Sequence, residues 1–180
     1  MNIYFARHGQ TQWNKDNRVC GRTDLPLTEK GKEQARKLAE NLANEKIDII
    51  ISSPLQRAIQ TSKIVAKQFG CDVLVDERLI EQDYGVYEGV DRKDEGFLNN
   101  KRNFAYKYPN GESMMQVAAR LYPLIEELKE QYSTKNVLLI CHGGVCRVLK
   151  TYFQDMTNDE YFNYSLESTG FEKYFLEELM

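Results

Sequence analysis

Nothing in this chain approaches the roughly twenty-residue apolar run that a membrane-spanning helix requires, so no membrane partner is expected. The N-terminus has no basic region followed by a long apolar stretch and a cleavage site, so no signal peptide is expected either. Basic residues are not in excess: 24 Lys and Arg face 27 Asp and Glu, a net charge of -3. A nucleic-acid partner usually leaves a net-basic footprint, and none is expected here. Cysteine is sparse. Cys20, Cys71, Cys141 and Cys146 form no CxxC pair, which suits reduced thiols in a cytoplasmic protein. Histidine is scarcer still, with only His8 and His142. Two histidines and scattered carboxylates show no metal-ligand motif, so no metal and no cofactor is expected.

What remains is ordinary in bulk. Hydrophobic residues at 42% and charged residues at 28% suit a globular protein, and 180 residues suit one domain with a substantial core. Strand-like and helix-like segments alternate. Asn2 to Ala6 reads as an apolar strand, followed by a polar loop to about Pro26. Ala35, Leu38, Ala39, Leu42 and Ala43 then form one helical face, with Thr28 as the N-cap. Ile47 to Ile51 is a buried strand, and Ser52-Ser53-Pro54 predicts a serine-capped helix with proline at its first position. Leu55, Ala58, Ile59, Ser62, Val65 and Phe69 line that helix. Val73 to Val75 is a short strand, and Asp76 to about Pro109 is irregular. A helix from about Ser113 to Tyr132 should kink or break at Pro123. Val137 to Cys141 is a strand, Val145, Val148, Leu149 and Tyr152 mark another helix, and Phe171 to Leu176 suggests a last strand. This order predicts an α/β three-layer sandwich, a mostly parallel sheet with helices on both faces.

In such a sheet, ligands bind beyond the carboxyl ends of the strands. Three of those ends carry unusual residues: Arg7 and His8 after the first, Arg57 in the helix after the second, and His142 before Gly143-Gly144 after the fourth. Two guanidiniums, two imidazoles and a helix N-terminus suit a phosphate. Each feature alone has a plainer reading. A lone histidine is usually a core or rim residue, a helical arginine is usually solvated, and a glycine pair is usually a turn. Their coincidence at one edge favours an anion site.

The residues that carry this pattern resemble the histidine phosphatase superfamily, the phosphoglycerate-mutase-like enzymes. The likeness runs through Arg7-His8-Gly9-Gln10-Thr11-Gln12-Trp13-Asn14 and Gly21-Arg22-Thr23-Asp24-Leu25-Pro26-Leu27-Thr28. It continues in Ser52-Ser53-Pro54-Leu55-Gln56-Arg57-Ala58, Leu79-Ile80-Glu81-Gln82-Asp83-Tyr84-Gly85, Pro109-Asn110-Gly111-Glu112-Ser113 and Cys141-His142-Gly143-Gly144. The resemblance implies that His8 is a nucleophile that becomes phosphohistidine, and that Arg7, Arg57 and His142 hold the phosphate. It makes Glu81 the acid toward the leaving oxygen, favoured over Asp83, with Glu88 structural. Asn14, Gly21, Tyr84, Arg92 and Gly143 are the further phosphate or substrate contacts. Cys141 and Cys146 read as packing residues.

The expected activity is metal-independent hydrolysis of small organic phosphate esters, in the branch that includes α-ribazole phosphatase and broad-specificity phosphatases. A phosphoglycerate mutase using the same histidine and a non-catalytic phospholigand-binding protein are the alternatives. The segment of about residues 90–109, with Arg92, Lys93, Lys101, Arg102, Phe97, Phe104, Tyr106 and Tyr108, reads as a lid over the site or as a solvated surface excursion. The expected partner is a phosphorylated small molecule, and a homodimer is left open.

Overall fold

β1 (Asn2–Arg7), β2 (Ile49–Ser52), β3 (Val73–Val75), β4 (Val137–Cys141) and β5 (Phe171–Phe175) form one sheet in the order β3-β2-β4-β1-β5. The first four strands run parallel, and β5 pairs antiparallel with β1. The computed structural model describes residues 1–176. Every residue of β2 and β4 is buried, as expected of parallel strands covered on both faces.

Alternation along the strands divides the core in two. Ile3, Phe5, Ile51 and Leu139 face α5 (Met114–Gln131) and α6 (Gly143–Phe153), packing on Leu121, Leu124, Ile125 and Val145. Tyr4, Ala6, Ile50 and Ile140 face α2 (Glu29–Asn41) and α3 (Gln56–Phe69), packing on Leu38, Leu42, Ala58 and Val65. The fold is thus the three-layer α/β sandwich that the pattern predicts. A buried leucine such as Leu121 replaced by alanine should cost about 2–5 kcal/mol.

Register does the rest. Arg7 lies opposite Cys141 and Ser52 opposite Ile140, so β1, β2 and β4 end level. The ladder runs one residue further: His8 N–H donates to the Cys141 carbonyl and Ser53 N–H to the Ile140 carbonyl, both at 3.0 Å. His8, Ser53 and His142 therefore emerge side by side at one sheet edge.

Several local expectations need correction. Thr28 caps α2 by accepting from Gly31 N–H at 3.1 Å, but α2 ends at Asn41 and leaves Ala43 exposed. α3 begins at Gln56 rather than at Pro54: Ser53 Oγ bonds His142 Nε2 at 2.6 Å and accepts from Leu55 N–H at 3.4 Å, and Leu55 takes the cap position without a side-chain bond of its own. Ile59 and Phe69 are only half-buried, while Arg57 and Thr61 are buried. α5 is continuous through Pro123. The fully buried Leu121, Leu124 and Ile125 outweigh its missing N–H. The loop after β1 contains α1 (Gln12–Lys15), whose Thr11 cap and Asn14 make a reciprocal capping box. The stretch expected to be irregular contains α4 (Glu95–Arg102), capped by Asp94 accepting from Phe97 N–H at 2.9 Å. α7 (Asn158–Asn163), capped by Thr157, was not expected at all.

Candidate active site

Arg57 is the largest fully buried side chain at the sheet edge, and its contacts determine the protonation of both histidines. Its Nε–H is shared between His8 Nε2 at 3.2 Å and His142 Nδ1 at 3.3 Å. A guanidinium stays protonated in proteins and only donates. Both of those imidazole nitrogens must therefore be lone-pair acceptors. His8 then carries its proton on Nδ1, which donates to the Gly9 carbonyl at 2.6 Å. His142 carries its proton on Nε2, which donates to Ser53 Oγ at 2.6 Å. Burial, reinforced by the Arg57 and Arg7 guanidiniums, holds the His8 pKa well below its ordinary value. Burial also lowers that of His142, followed by Arg57, His8 and Arg7. Both rings are neutral at pH 7, and the His8 lone pair lies on Nε2, where it accepts from Arg57.

The surroundings fix these rings. Arg57 Nη1 donates to the Thr23 carbonyl at 2.8 Å and Nη2 to the Gly21 carbonyl at 2.5 Å. Gly9 N–H donates to Thr61 Oγ1 at 3.1 Å, and Thr61 Oγ1 donates to the Arg57 carbonyl. Gly9 and Gly31 approach so closely that a Cβ on either would lie 2.2 Å from a backbone carbonyl oxygen of the opposing segment. The loop after β1 is thereby pressed onto the start of α2.

A cavity of about 140 Å³ opens in front of His8. Its wall includes Arg7, Asn14, Glu81, Tyr84, Arg92 and Gly143, each anticipated from the sequence. Arg7 Nε is buried with no hydrogen-bond partner, a donor suited to an anion in that space. Glu81 is 4% exposed and sits at the N-terminus of α6. Its Oε1 accepts from Gln82 N–H at 2.8 Å and Val145 N–H at 3.2 Å, and its Oε2 from Gly144 N–H at 3.1 Å. With one such bond against two, Oε2 is the oxygen with a lone pair left for a proton. Asp83 is elsewhere: its Oδ1 accepts from Gly85 N–H at 2.9 Å, and it does not line this cavity.

Three residues expected to touch the phosphate lie behind that wall instead. Arg57 and His142 are fully buried beneath His8. Gly21 is turned away, its N–H donating to Glu88 Oε1 at 2.8 Å and its carbonyl accepting from Arg57. Glu88 gathers the N–H groups of Gly21, Arg22 and Thr23, which is the structural part foreseen for it. Cys141 and Cys146 are buried core residues with their sulfurs 3.4 Å apart.

Sequence reasoning missed Ser53 as the partner of His142, Thr61 as the clasp on Gly9, and Arg147 on the cavity wall. Arg147 stands four residues after Gly143, one turn along the same helix face, and that spacing was the available signal. Its Nη2 donates to the Tyr164 carbonyl at 3.2 Å, and its guanidinium lies 5.6 Å from the centre of the Tyr161 ring.

A family model for the histidine phosphatase superfamily (branch 1) matches residues 3–176. The chain belongs to the histidine phosphatase superfamily. Its sequence is 37% identical over 150 residues to a probable phosphoglycerate mutase GpmB of Enterobacter sp. (strain 638), covering 79% of this chain and 70% of the relative. A mycobacterial glucosyl-3-phosphoglycerate phosphatase superposes with a TM-score of 0.85 at 27% identity, covering 96% of this chain and 88% of the other. The α-ribazole phosphatase of Shigella flexneri gives a TM-score of 0.85 at 25% identity, covering 99% and 92%. A phosphoserine phosphatase of Entamoeba histolytica, solved with 3-phosphoglyceric acid, gives 0.83 at 25% identity, covering 97% and 90%. Within this superfamily the chain is an enzyme of the phosphatase type.

Proposed function

We propose that this histidine phosphatase hydrolyses small organic phosphate monoesters through a phosphohistidine on His8, without a metal ion. The observation that carries the reading is the neutral His8 ring at the wall of an anion-ready cavity, its Nδ1 proton held by the Gly9 carbonyl and its unprotonated Nε2 released for attack when the shared Arg57 Nε–H turns wholly to His142 Nδ1. The phosphate lies against Arg7 Nε and the Asn14 and Gly143 side of the cavity. His8 Nε2 attacks phosphorus, the ester P–O bond breaks, and Glu81 delivers a proton to the departing alkoxide. Water then attacks the phosphohistidine, the P–N bond breaks, and Glu81 takes the proton back. Arg57, beneath His8, offsets the charge that develops during both transfers, so preorganised guanidiniums supply what a metal supplies elsewhere.

The cavity walls also favour a substrate with a second acidic group. Arg7, Arg92, Lys101 and Arg147 line it against one carboxylate, Glu81. A phosphate engages Arg7, which leaves Arg92, Lys101 of α4 and Arg147 of α6. The relatives named for phosphoglycerate, glucosyl-3-phosphoglycerate and phosphoserine suit this reading, since each of those compounds carries a carboxylate. The lid role belongs to α4 and the segment around it.

A panel of phosphate monoesters assayed in excess EDTA tests the proposal. The panel includes α-ribazole phosphate and the matched pair 3-phosphoglycerate and glycerol 3-phosphate, which differ by one carboxylate. Steady release of inorganic phosphate is expected, with 3-phosphoglycerate at least several-fold preferred in kcat/KM. Activity lost to EDTA and restored by a divalent ion would overturn the metal-free mechanism. Formation of 2-phosphoglycerate faster than phosphate would establish the mutase reading that the curated relatives' name favours.

A further inference from the structure

Glu81 has no strand or helix of its own. It sits between two single turns, Glu77–Leu79 and Gly85–Tyr87, and the segment carrying it needs anchoring from elsewhere. The anchor is Glu112, just before α5. Glu112 Oε2 accepts from Asp83 N–H at 3.0 Å, and Glu112 N–H donates to the Asp83 carbonyl at 2.8 Å. Gln82 Nε2 donates to the Glu112 carbonyl at 3.2 Å. Glu112 thus holds the two residues after Glu81 through main chain and side chain together.

Two arginines extend the grip. Arg22 Nη2 pairs with Glu112 Oε1 at 3.0 Å, while its Nε donates to the Glu81 carbonyl at 3.5 Å. Arg120 Nη2 pairs with Glu112 Oε2 at 3.3 Å, and its Nη1 donates to the Arg78 carbonyl. The segment from Arg78 to Asp83 is therefore fastened at both ends and at Glu81 itself, with the Glu112 carboxylate as the common point. The Glu112 and Arg120 side chains are 18% and 16% exposed, so solvent screens this pair far less than a surface ion pair.

We propose that Glu112, clamped by Arg22 and Arg120, is a positioning residue for the Glu81 carboxyl. It touches neither the cavity nor the phosphate. It sets where the Glu81 oxygen meets the leaving group, and misplacement by about 1 Å is enough to slow a proton transfer about a hundredfold. The inference rests on Glu81 being the proton donor of the proposed reaction.

The test compares an alkyl phosphate, which needs a proton on its leaving oxygen, with p-nitrophenyl phosphate, which hardly does. Glu112→Ala should lower kcat/KM, which reports only the steps up to phosphoryl transfer to His8, at least tenfold for the alkyl ester and less than threefold for the aryl ester. Glu112→Gln keeps an acceptor for Asp83 N–H and should fall between Glu112→Ala and the unmodified enzyme. Arg22→Met, at a site whose side chain is 40% exposed, should split the two esters in the same direction with the fold secure. Equal slowing of both esters in the Glu112 and Arg22 variants would assign the cluster to stability alone and overturn the proposal. Glu81→Gln, measured alongside, separates the two levels. If Glu81→Gln splits the esters and the clamp variants do not, only the positioning role fails. If Glu81→Gln does not split them, the acid assignment fails and the clamp proposal falls with it.

Discussion

Gly144→Ala is the substitution for which the structure gives the sharpest magnitude. A Cβ at Gly144 would lie 2.6 Å from Glu81 Oε1 and 2.8 Å from the Tyr84 hydroxyl oxygen, both closer than van der Waals contact allows. Gly144 has an ordinary helical backbone, so the penalty comes from the clash alone. Ordinary contact requires the carboxylate to retreat by about 0.8 Å, and the bonds from Val145 and Gly144 N–H, now at 3.2 and 3.1 Å, would stretch beyond useful length. Two hydrogen bonds to the carboxyl group would be weakened, at roughly 0.5–1.5 kcal/mol each. A shift of that size in the proposed proton donor should cost about 10²-fold in kcat/KM for an alkyl phosphate. At Gly143 the nearest atoms to a Cβ are in the Arg7 guanidinium at 3.8 and 3.9 Å, an ordinary contact. Gly143→Ala should cost far less activity, and the alanine should stabilise the helix by up to about 1 kcal/mol. Steady-state kinetics on alkyl and p-nitrophenyl phosphate, with urea unfolding of both variants, makes the comparison. Wild-type alkyl phosphatase activity in Gly144→Ala would refute this placement of Glu81. Equal loss on both esters would show that the methyl acts by narrowing the cavity.

His8→Gln should abolish turnover, and rapid alkaline quench of the unmodified enzyme with labelled substrate should leave label on protein that the variant lacks. Because the pKa values of His8 and His142 are depressed on folding, the unfolded chain binds more protons below pH 6.5, and stability must fall as pH drops. Each histidine should contribute a loss of about 1 kcal/mol between pH 7 and pH 5.5, and urea unfolding of His8→Gln should show a shallower decline than the parent. Burial, then Arg147, Arg92 and Arg102, pushes Lys101 down to about 8, so it is charged below that pH and neutral above. The preference for 3-phosphoglycerate over glycerol 3-phosphate should weaken between pH 7 and pH 9, and Lys101→Met should remove that trend.

Much of this site was legible because its residues sit where strands end. Arg7, His8 and His142 follow apolar runs with strand composition, and level register turns three separate sequence positions into neighbours. Glu81 carries no such signal. It lies on a segment held by Glu112 rather than by a periodic element, so only the resemblance singled it out. α4 escaped detection because its only buried side chains are Phe97 and Asn100, too few to set a helical period. Ser53 was read as a helix cap because serine before proline usually is one, yet its hydroxyl serves His142. Arg57 was found, but its depth was not. Nothing local in Gln56-Arg57-Ala58 says that the carbonyls of Gly21 and Thr23, more than thirty residues away, will take its guanidinium.

Those buried contacts bear on why relatives of this chain carry both mutase and phosphatase names. In the proposed reaction His8, Arg57 and His142 only form and discharge the phosphohistidine, and Glu81 can deprotonate water or an alcohol hydroxyl equally well. The choice between hydrolysis and transfer therefore lies in the cover over the cavity, where a competing hydroxyl has to be held in line with the P–N bond longer than water takes to arrive. On one side that cover is Phe97 packed against Tyr84 and Tyr108, a rigid aromatic wall. On the other it is Lys101 and Arg147, which do not pair with any carboxylate among the described residues. In the proposed reaction these cations hold the ester's second acidic group while the phosphoryl group passes to His8, and water takes the alcohol's place once it leaves.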